Sequence, residues 1–334
     1  MKIKAAVASE IHKKINLQSF EIEDPLADEV IVKLEYAAIN HRDIYITQGL
    51  YANIQLPCIL GSDGSGKIIK KGTNVSQFNI GDEVITQPGI DWGNDEKFQS
   101  KNFQIIGMPS NGTFAEAIKI NAEQIFPKPL HLNAEQAAAL PLAGLTAYRA
   151  LVTRGKVKQN DKVLVTGAGG GVALFVIQFA LALGCEVWVT SGKQDKIDKC
   201  IALGAKGGVN YKEENWHKTL LKNVGEFDVI VDAACGKDFG KLTDICKPGG
   251  TICVYGGTAG KIGDIQPGKI FWKQINICGS TMGTPKEFEE MLDLVNTQKI
   301  VPITEKVFNL ENINEAIDYI ENANQFGKVL LKIG

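Results

Sequence analysis

Val163-Leu164-Val165-Thr166-Gly167-Ala168-Gly169-Gly170-Gly171-Val172-Ala173-Leu174 decides the fold of this chain. An apolar strand runs into a cluster of glycines, and the apolar run Phe175 to Leu183 suits a helix buried on a sheet. Glycine is required at such a junction because the chain turns tightly and its backbone must approach a pyrophosphate closely. The helix start then offers unpaired N–H groups and a partial positive charge to the anion. A glycine cluster alone is weak evidence, but the strand before it and the helix after it supply the context of a dinucleotide cradle. Gly167, Gly169, Gly170, Gly171 and Val172 are its candidate contacts, and Ala173 stands where a third motif glycine is often found.

Working outward, the pattern alternates between β and α. Glu186 to Thr190 reads as the next strand and Lys193 to Leu203 as the next helix, with further strands at Phe227–Asp232 and Gly250–Tyr255. Apolar strands alternating with helices indicate a parallel sheet covered on both faces. Before residue 120 the texture differs: Glu29 to Leu34 alternates like a strand, and Gly61 to Lys71 and Gly81 to Ile85 mix turn signals with β-branched residues, as in a small β-rich unit. The tail adds helices at Glu287–Val295 and Ile313–Glu321 and a last strand at Lys328–Ile333. At 334 residues, two domains are expected.

A ribose-binding Asp or Glu is usual about 20 residues after the glycines of an NAD site. Here the second strand ends in Thr190-Ser191-Gly192-Lys193-Gln194-Asp195-Lys196, with no acid at the expected place. Ser191, Lys193 and Lys196 offer a hydroxyl and two cations, which suit a 2′-phosphate and therefore NADPH. The competing reading is that the lysines only solvate a helix start.

Bulk composition excludes several classes. Thirty-six Lys and Arg against 38 Asp and Glu leave a net charge of −2, which argues against a nucleic-acid or anionic-membrane surface. No apolar run approaches the roughly 20 residues that span a bilayer, and Met1 to Val7 has no signal-peptide pattern, so a cytoplasmic protein is expected. The seven cysteines (58, 185, 200, 235, 246, 253 and 278) are odd in number and never spaced C-x-x-C. Reduced, structural thiols are expected of them.

Gly61-Ser62-Asp63-Gly64-Ser65-Gly66, continued by Gly72, Val75 and Gly81-Asp82-Glu83-Val84, resembles the zinc signature G-H-E-x-x-G-x5-G-x-x-V of the medium-chain dehydrogenase/reductase superfamily. The resemblance covers nearly the whole chain. It implies a GroES-like β-rich catalytic domain (1–127 and 284–334) and a Rossmann cofactor domain with a doubly wound parallel sheet (128–283). Yet the signature's His is Ser62 and its Glu is Asp63. The family's C-H-x-D reads Asn40-His41-Arg42-Asp43, and Leu142 replaces the last ligand Cys. The lobe that holds a second zinc in the family, here residues 89–108, contains no cysteine. Catalytic zinc wants three soft or borderline ligands around an open position, so no metal is expected at either place.

Asn40 to Tyr51 is similar to N-x-x-D-x-Y-x-x-x-G-x-Y of the zinc-free quinone oxidoreductase branch. The resemblance implies that Asn40, Asp43, Tyr45 and Tyr51 line the substrate cleft, and that Tyr211 joins Ser191, Gly192 and Lys196 at the adenosine phosphate. It also implies that Gly256, Gly257, Thr258, Gly279, Ser280 and Lys328 contact the cofactor. The expected reaction is hydride transfer from NADPH to a quinone or α,β-unsaturated carbonyl, with Tyr45 or Tyr51 donating to the developing oxyanion. Two alternatives stand beside it. One is an enoyl-thioester reductase, whose coenzyme A substrate would call on basic residues such as Arg42 or Lys97. The other is a cofactor-binding protein with little turnover, like the lens crystallins of this branch. A small-molecule substrate, no nucleic-acid or membrane partner, and a homodimer paired through Ile275 to Cys278 complete the expectation.

Overall fold

A computed structural model describes residues 1–322 and 325–334. In chain order, the first part carries β1 (Lys2–Ala8), β2 (Asn16–Glu21), β3 (Glu29–Ala38), α1 (His41–Thr47), β4 (Cys58–Ile59), β5 (Asp63–Lys71), β6 (Glu83–Thr86), β7 (Gly89–Ile90), β8 (Gln104–Ile105), β9 (Ala117–Asn121), β10 (Ile125–Pro127), α2 (Ala134–Ala138) and α3 (Pro141–Tyr148). After a π-helical turn at Arg149–Arg154 come β11 (Lys162–Val165), α4 (Gly171–Ala182), β12 (Glu186–Ser191), α5 (Gln194–Ala202), β13 (Gly207–Asn210), α6 (Trp216–Asn223), β14 (Phe227–Asp232), α7 (Gly240–Ile245), β15 (Cys246–Val254), α8 (Pro267–Lys273) and β16 (Asn276–Gly279). The chain ends with α9 (Pro285–Gln298), β17 (Thr304–Asn309), α10 (Ile313–Glu321) and β18 (Lys328–Lys332).

Two compact units form, one from Met1–Ala143 with Thr284–Gly334 and the other from Gly144–Gly283. The first crossing falls at 143, not at 127 as expected from sequence, because α2 packs on β3 and β5 of the first unit. Asn133 caps α2, its side chain accepting from Gln136 N at 2.8 Å.

The first unit is GroES-like. Its main sheet runs β10-β6-β5-β3-β18-β17, with β9 also pairing with β3. Gly66 is indispensable where β5 crosses β3, since a Cβ there would lie 2.0 Å from the Lys33 carbonyl oxygen. The antiparallel register of β18 on β3 sets Leu330 against Ala38. That pairing carries the end of the chain to the start of α1.

The lobe at 89–108 closes without cysteine. Trp92 is buried, donates from Nε1 to Asp95 O at 2.9 Å, and meets Phe103 edge-on at 5.3 Å between ring centroids. Ser100 ties the turn by donating from Oγ to Asp91 O at 2.7 Å and from its backbone N–H to Trp92 O. An aromatic pair and a hydrogen-bonded turn do the work of a local core.

The second unit is a six-stranded parallel sheet in the order β13-β12-β11-β14-β15-β16, the doubly wound arrangement. Val163, Leu164 and Val165 are fully buried, Leu164 in a core with Trp216, Leu220 and Phe227, while α4, with Phe175, Val176 and Phe179 buried, packs on β11 and β12. α4 begins at Gly171, four residues earlier than the apolar run suggested, because Val172 to Leu174 join the helix.

Candidate functional site

At the head of α1, Asn40 is the N-cap and Asp43 the third helical residue. Asp43 Oδ2 accepts from Asn40 N at 2.8 Å, satisfying a donor that a helix start leaves open. Its Oδ1 accepts from Gly61 N at 3.3 Å and lies 3.9 Å from Arg42 Nη1. Asp43 is fully buried; burial pushes its carboxyl up, opposed first by the Arg42 guanidinium. It anchors Asn40 from a fully buried position, where the resemblance implied a place lining the cleft.

Asp63 is also fully buried. Oδ1 accepts from Leu142 N at 2.8 Å, and Oδ2 accepts from Asn40 Nδ2 at 2.9 Å and Lys328 Nζ at 3.3 Å. Burial raises its carboxyl, and the Lys328 ammonium is the largest influence holding it down. Lys328 further donates to Asn40 Oδ1 at 2.5 Å and Ile39 O at 3.0 Å, so all three of its protons have partners within the first unit. Lys328 was expected at the cofactor; the structure instead commits its ammonium to Asp63, Asn40 and a carbonyl.

These residues do not fit a catalytic zinc. Asn40 presents an amide, Leu142 an alkyl chain, and Ser62 Oγ accepts from Arg42 Nη1 at 2.9 Å while donating to Ile106 O at 2.7 Å. A metal at Asp63 would have to displace an ammonium that already neutralises it. Among the described residues no group of three or more His, Cys, Asp or Glu gathers as a metal site.

Tyr45 and Tyr51 flank the turn that ends α1, where Leu50 N donates to Tyr45 O at 2.8 Å. Tyr45 is half-buried, its ring 6.2 Å from that of His41. Tyr51 is half-buried with the Arg42 guanidinium 5.3 Å from its ring centroid, a cation–π contact. Arg42 itself is buried on Ser62 Oγ, Ile106 O and Met108 O.

In the second unit the cradle has the backbone a phosphate needs. Gly167 and Gly169 adopt φ of 68° and 111°, a region hostile to side chains. Gly170 caps α4, and Gly171, Val172 and Ala173 form the helix's first turn. Thr166 Oγ1 donates to Asp232 Oδ1 at 2.6 Å and accepts from Ala233 N at 3.0 Å, tying the end of β11 to β14. Sequence alone did not flag this buried pair.

Around the second strand's end, Lys196 lies across the cradle: a Cβ on Gly169 would be 2.7 Å from its Cδ and 3.3 Å from its Nζ. A Cβ on Gly192 would be 2.8 Å from Tyr211 Oη and 3.0 Å from Lys212 Cε. Ser191, Gly192, Lys196 and Tyr211 thus come together, and Lys212 joins them, unnoticed in sequence because it carries no motif. Ser191 is buried, with Oγ donating to Ala168 O at 3.2 Å, while Lys193 is exposed.

Gly256, Gly257 and Thr258 follow β15; a Cβ on Gly256 would lie 2.8 Å from Ala233 O, and Thr258 Oγ1 is 3.4 Å from the same oxygen. Gly279 ends β16, and Ser280 N donates to Val254 O at 2.8 Å. The buried Ser280 Oγ has no hydrogen-bond partner. An orphaned hydroxyl beside the ends of β15 and β16 and a glycine cradle before α4 are what a nicotinamide dinucleotide would fill. No helix among the described residues is long and apolar enough to cross a membrane.

A GroES-like unit and a doubly wound unit with a dinucleotide cradle define a nicotinamide-dependent oxidoreductase. Residues 26–130 match the alcohol dehydrogenase GroES-like domain and residues 171–297 the zinc-binding dehydrogenase domain. The zinc-type alcohol dehydrogenase-like protein YogA of Leptosphaeria maculans is 34% identical, over 100% of this chain and 98% of its own. An acryloyl-coenzyme A reductase of Sulfurisphaera tokodaii is 31% identical over 93% of this chain and 95% of its own. A crystal structure of an NAD-dependent alcohol dehydrogenase superposes with a TM-score of 0.93 at 33% identity, covering 99% of this chain and 100% of that one. The chain belongs to the medium-chain dehydrogenase/reductase superfamily.

Proposed function

We propose that this protein is an NADPH-dependent, zinc-independent reductase of quinones or α,β-unsaturated carbonyls. The observation that carries the reading is the saturation of Asp63 by Lys328, Asn40 and the Leu142 N–H where relatives of the zinc-type signature keep metal ligands. Without a Lewis acid, a conjugated acceptor is the easier substrate, because conjugation spreads the developing charge onto its oxygen.

The chemistry a nicotinamide cofactor would supply at this cradle is hydride transfer. The first turn of α4 would hold its pyrophosphate by backbone N–H groups, and Lys196 and Lys212 would neutralise a 2′-phosphate beside Tyr211. Ser280 Oγ would offer a hydrogen bond to its carboxamide end. Tyr51 would donate a hydrogen bond or proton to the oxygen that gains charge, with the Arg42 guanidinium packed against its ring. Asn40, pinned by Lys328 and Asp63, keeps one amide N–H for a substrate.

An enoyl-thioester reductase is the second reading, favoured by the relative named acryloyl-coenzyme A reductase. Arg42 counts against it, being buried on its own unit. A cytoplasmic homodimer paired through the edge strand β16 completes the proposal; Phe271 and Trp272 on α8 are exposed nearby in sequence. NADPH oxidation followed at 340 nm against quinones, enones and an enoyl-coenzyme A, with NADH and chelator controls, tests it. Chelator-resistant turnover of free conjugated acceptors supports the reading. Turnover confined to the thioester moves it to the second, and cofactor binding without any turnover overturns both in favour of a non-catalytic role.

A further inference from the structure

Cys253 and Cys278 stand directly opposite each other on the neighbouring parallel strands β15 and β16, in one register pair. Side chains so paired share a face of the sheet, and parallel neighbours lie about 4.8 Å apart, within the Cα span a disulfide bridges. Cys253 is fully buried and Cys278 half-buried. The π-helical turn Arg149–Arg154 packs on β15 and reaches β16: Arg154 Nε donates to Gly279 O at 2.9 Å, and the Cys278 thiol donates to Arg154 O at 3.8 Å.

We propose that Cys278 and Cys253 form a peroxide-oxidisable dithiol, Cys278 being the attacking thiolate and Cys253 the resolving thiol. The contact with Cys253, then the nearby Arg154 and Lys156 cations, lower the Cys278 thiol against the opposing effect of burial. The same contact and burial push Cys253 well up, so it stays protonated as the donor. Burial raises Cys58, Cys185, Cys200, Cys235 and Cys246, which leaves Cys278 alone in thiolate character.

The Cys278 thiolate attacks the distal oxygen of a hydroperoxide. The O–O bond breaks, the alcohol leaves with a proton, and Cys278 becomes a sulfenic acid. Cys253 sulfur then displaces that oxygen as water, forming the S–S bond. Two thiols lose two electrons in all, and the hydroperoxide is reduced to alcohol and water. Within the chain β16 pairs with one neighbour, β15, so only that ladder must shift as the two Cβ atoms close.

Cumene hydroperoxide added to the full chain, followed by intact-mass and peptide mapping, tests this. The expected result is a loss of two hydrogens and one disulfide joining the peptides that hold residues 253 and 278, reversed by a dithiol reductant. Cys253→Ser should stop at a sulfenic acid on Cys278, trapped by a 1,3-dione, and Cys278→Ser should give neither product while keeping the native circular dichroism. Arg154→Gln should slow trapping in the Cys253→Ser background by about tenfold. Earlier oxidation at any other cysteine, over-oxidation of Cys278 in place of a bridge, or an unchanged rate in Arg154→Gln would overturn the proposal.

Discussion

Lys328 Nζ stands 3.3 Å from Asp63 Oδ2 and 2.5 Å from Asn40 Oδ1, an ion pair with both members buried. The two residues lie 265 positions apart, joined by the pairing of β18 on β3. Removing one partner of such a pair leaves a buried charge uncompensated.

Lys328→Met should therefore lower stability near neutral pH by about 3–5 kcal/mol, and Asp63→Asn in the same chain should restore much of the loss. The pH dependence has a definite sign. Asp63 is raised above its unfolded value, and losing Lys328 raises it further, so the folded variant binds a proton the unfolded chain has shed. Its stability should fall as pH rises from about 4 through the folded value, so the deficit is largest near neutrality and shrinks in acid. Urea unfolding at several pH values measures this; a deficit that grows in acid would contradict it.

Lys196 lies across Gly169 with its ammonium 3.3 Å from where a Cβ would be. A charge-assisted bond to a phosphate is worth about 1.5–3 kcal/mol, so Lys196→Gln should raise KM for NADPH by about 10- to 100-fold and leave that for NADH nearly unchanged. Equal effects on the two cofactors would show that Lys196 does not contact a 2′-phosphate.

The cradle was legible because its signal is local: Val163 to Leu174 carries strand, glycines and helix start in one stretch. The exchange of zinc ligands at Asn40, Ser62 and Leu142 was legible only through family resemblance, since no short-range pattern marks those positions. The buried Lys328–Asp63 contact was hidden, because it forms through a β pairing that neither segment encodes alone. The same holds for two histidines. His131 and His217 lie in segments with no motif, and both are half-buried, His131 Nε2 lying 3.0 Å from Ile300 O and His217 Nε2 3.8 Å from Asp244 Oδ2. Lys212 went unnoticed because its place beside Gly192 depends on how β13 returns alongside β12.

Tyr51 carries the candidate proton, so Tyr51→Phe should slow hydride transfer by roughly 10²-fold, within the range for general acid–base catalysis. The ring and its contact with Arg42 survive the change, so KM for NADPH should hold while kcat falls. An unaltered kcat would remove Tyr51 from the chemistry and turn attention to Tyr45→Phe.

The lobe at 89–108 holds by Trp92 against Phe103, with no cysteine in it. A metal-held lobe would loosen on chelation, because binding energy there is folding energy. Here EDTA should leave Tm unchanged. Trp92→Ala should cost about 3–5 kcal/mol, the range for emptying a buried aromatic site, and should open the lobe to protease cleavage before the rest of the first unit. A chelator-induced drop in Tm, or a Trp92→Ala variant as protease-resistant as the parent, would show that the aromatic pair is not what closes it.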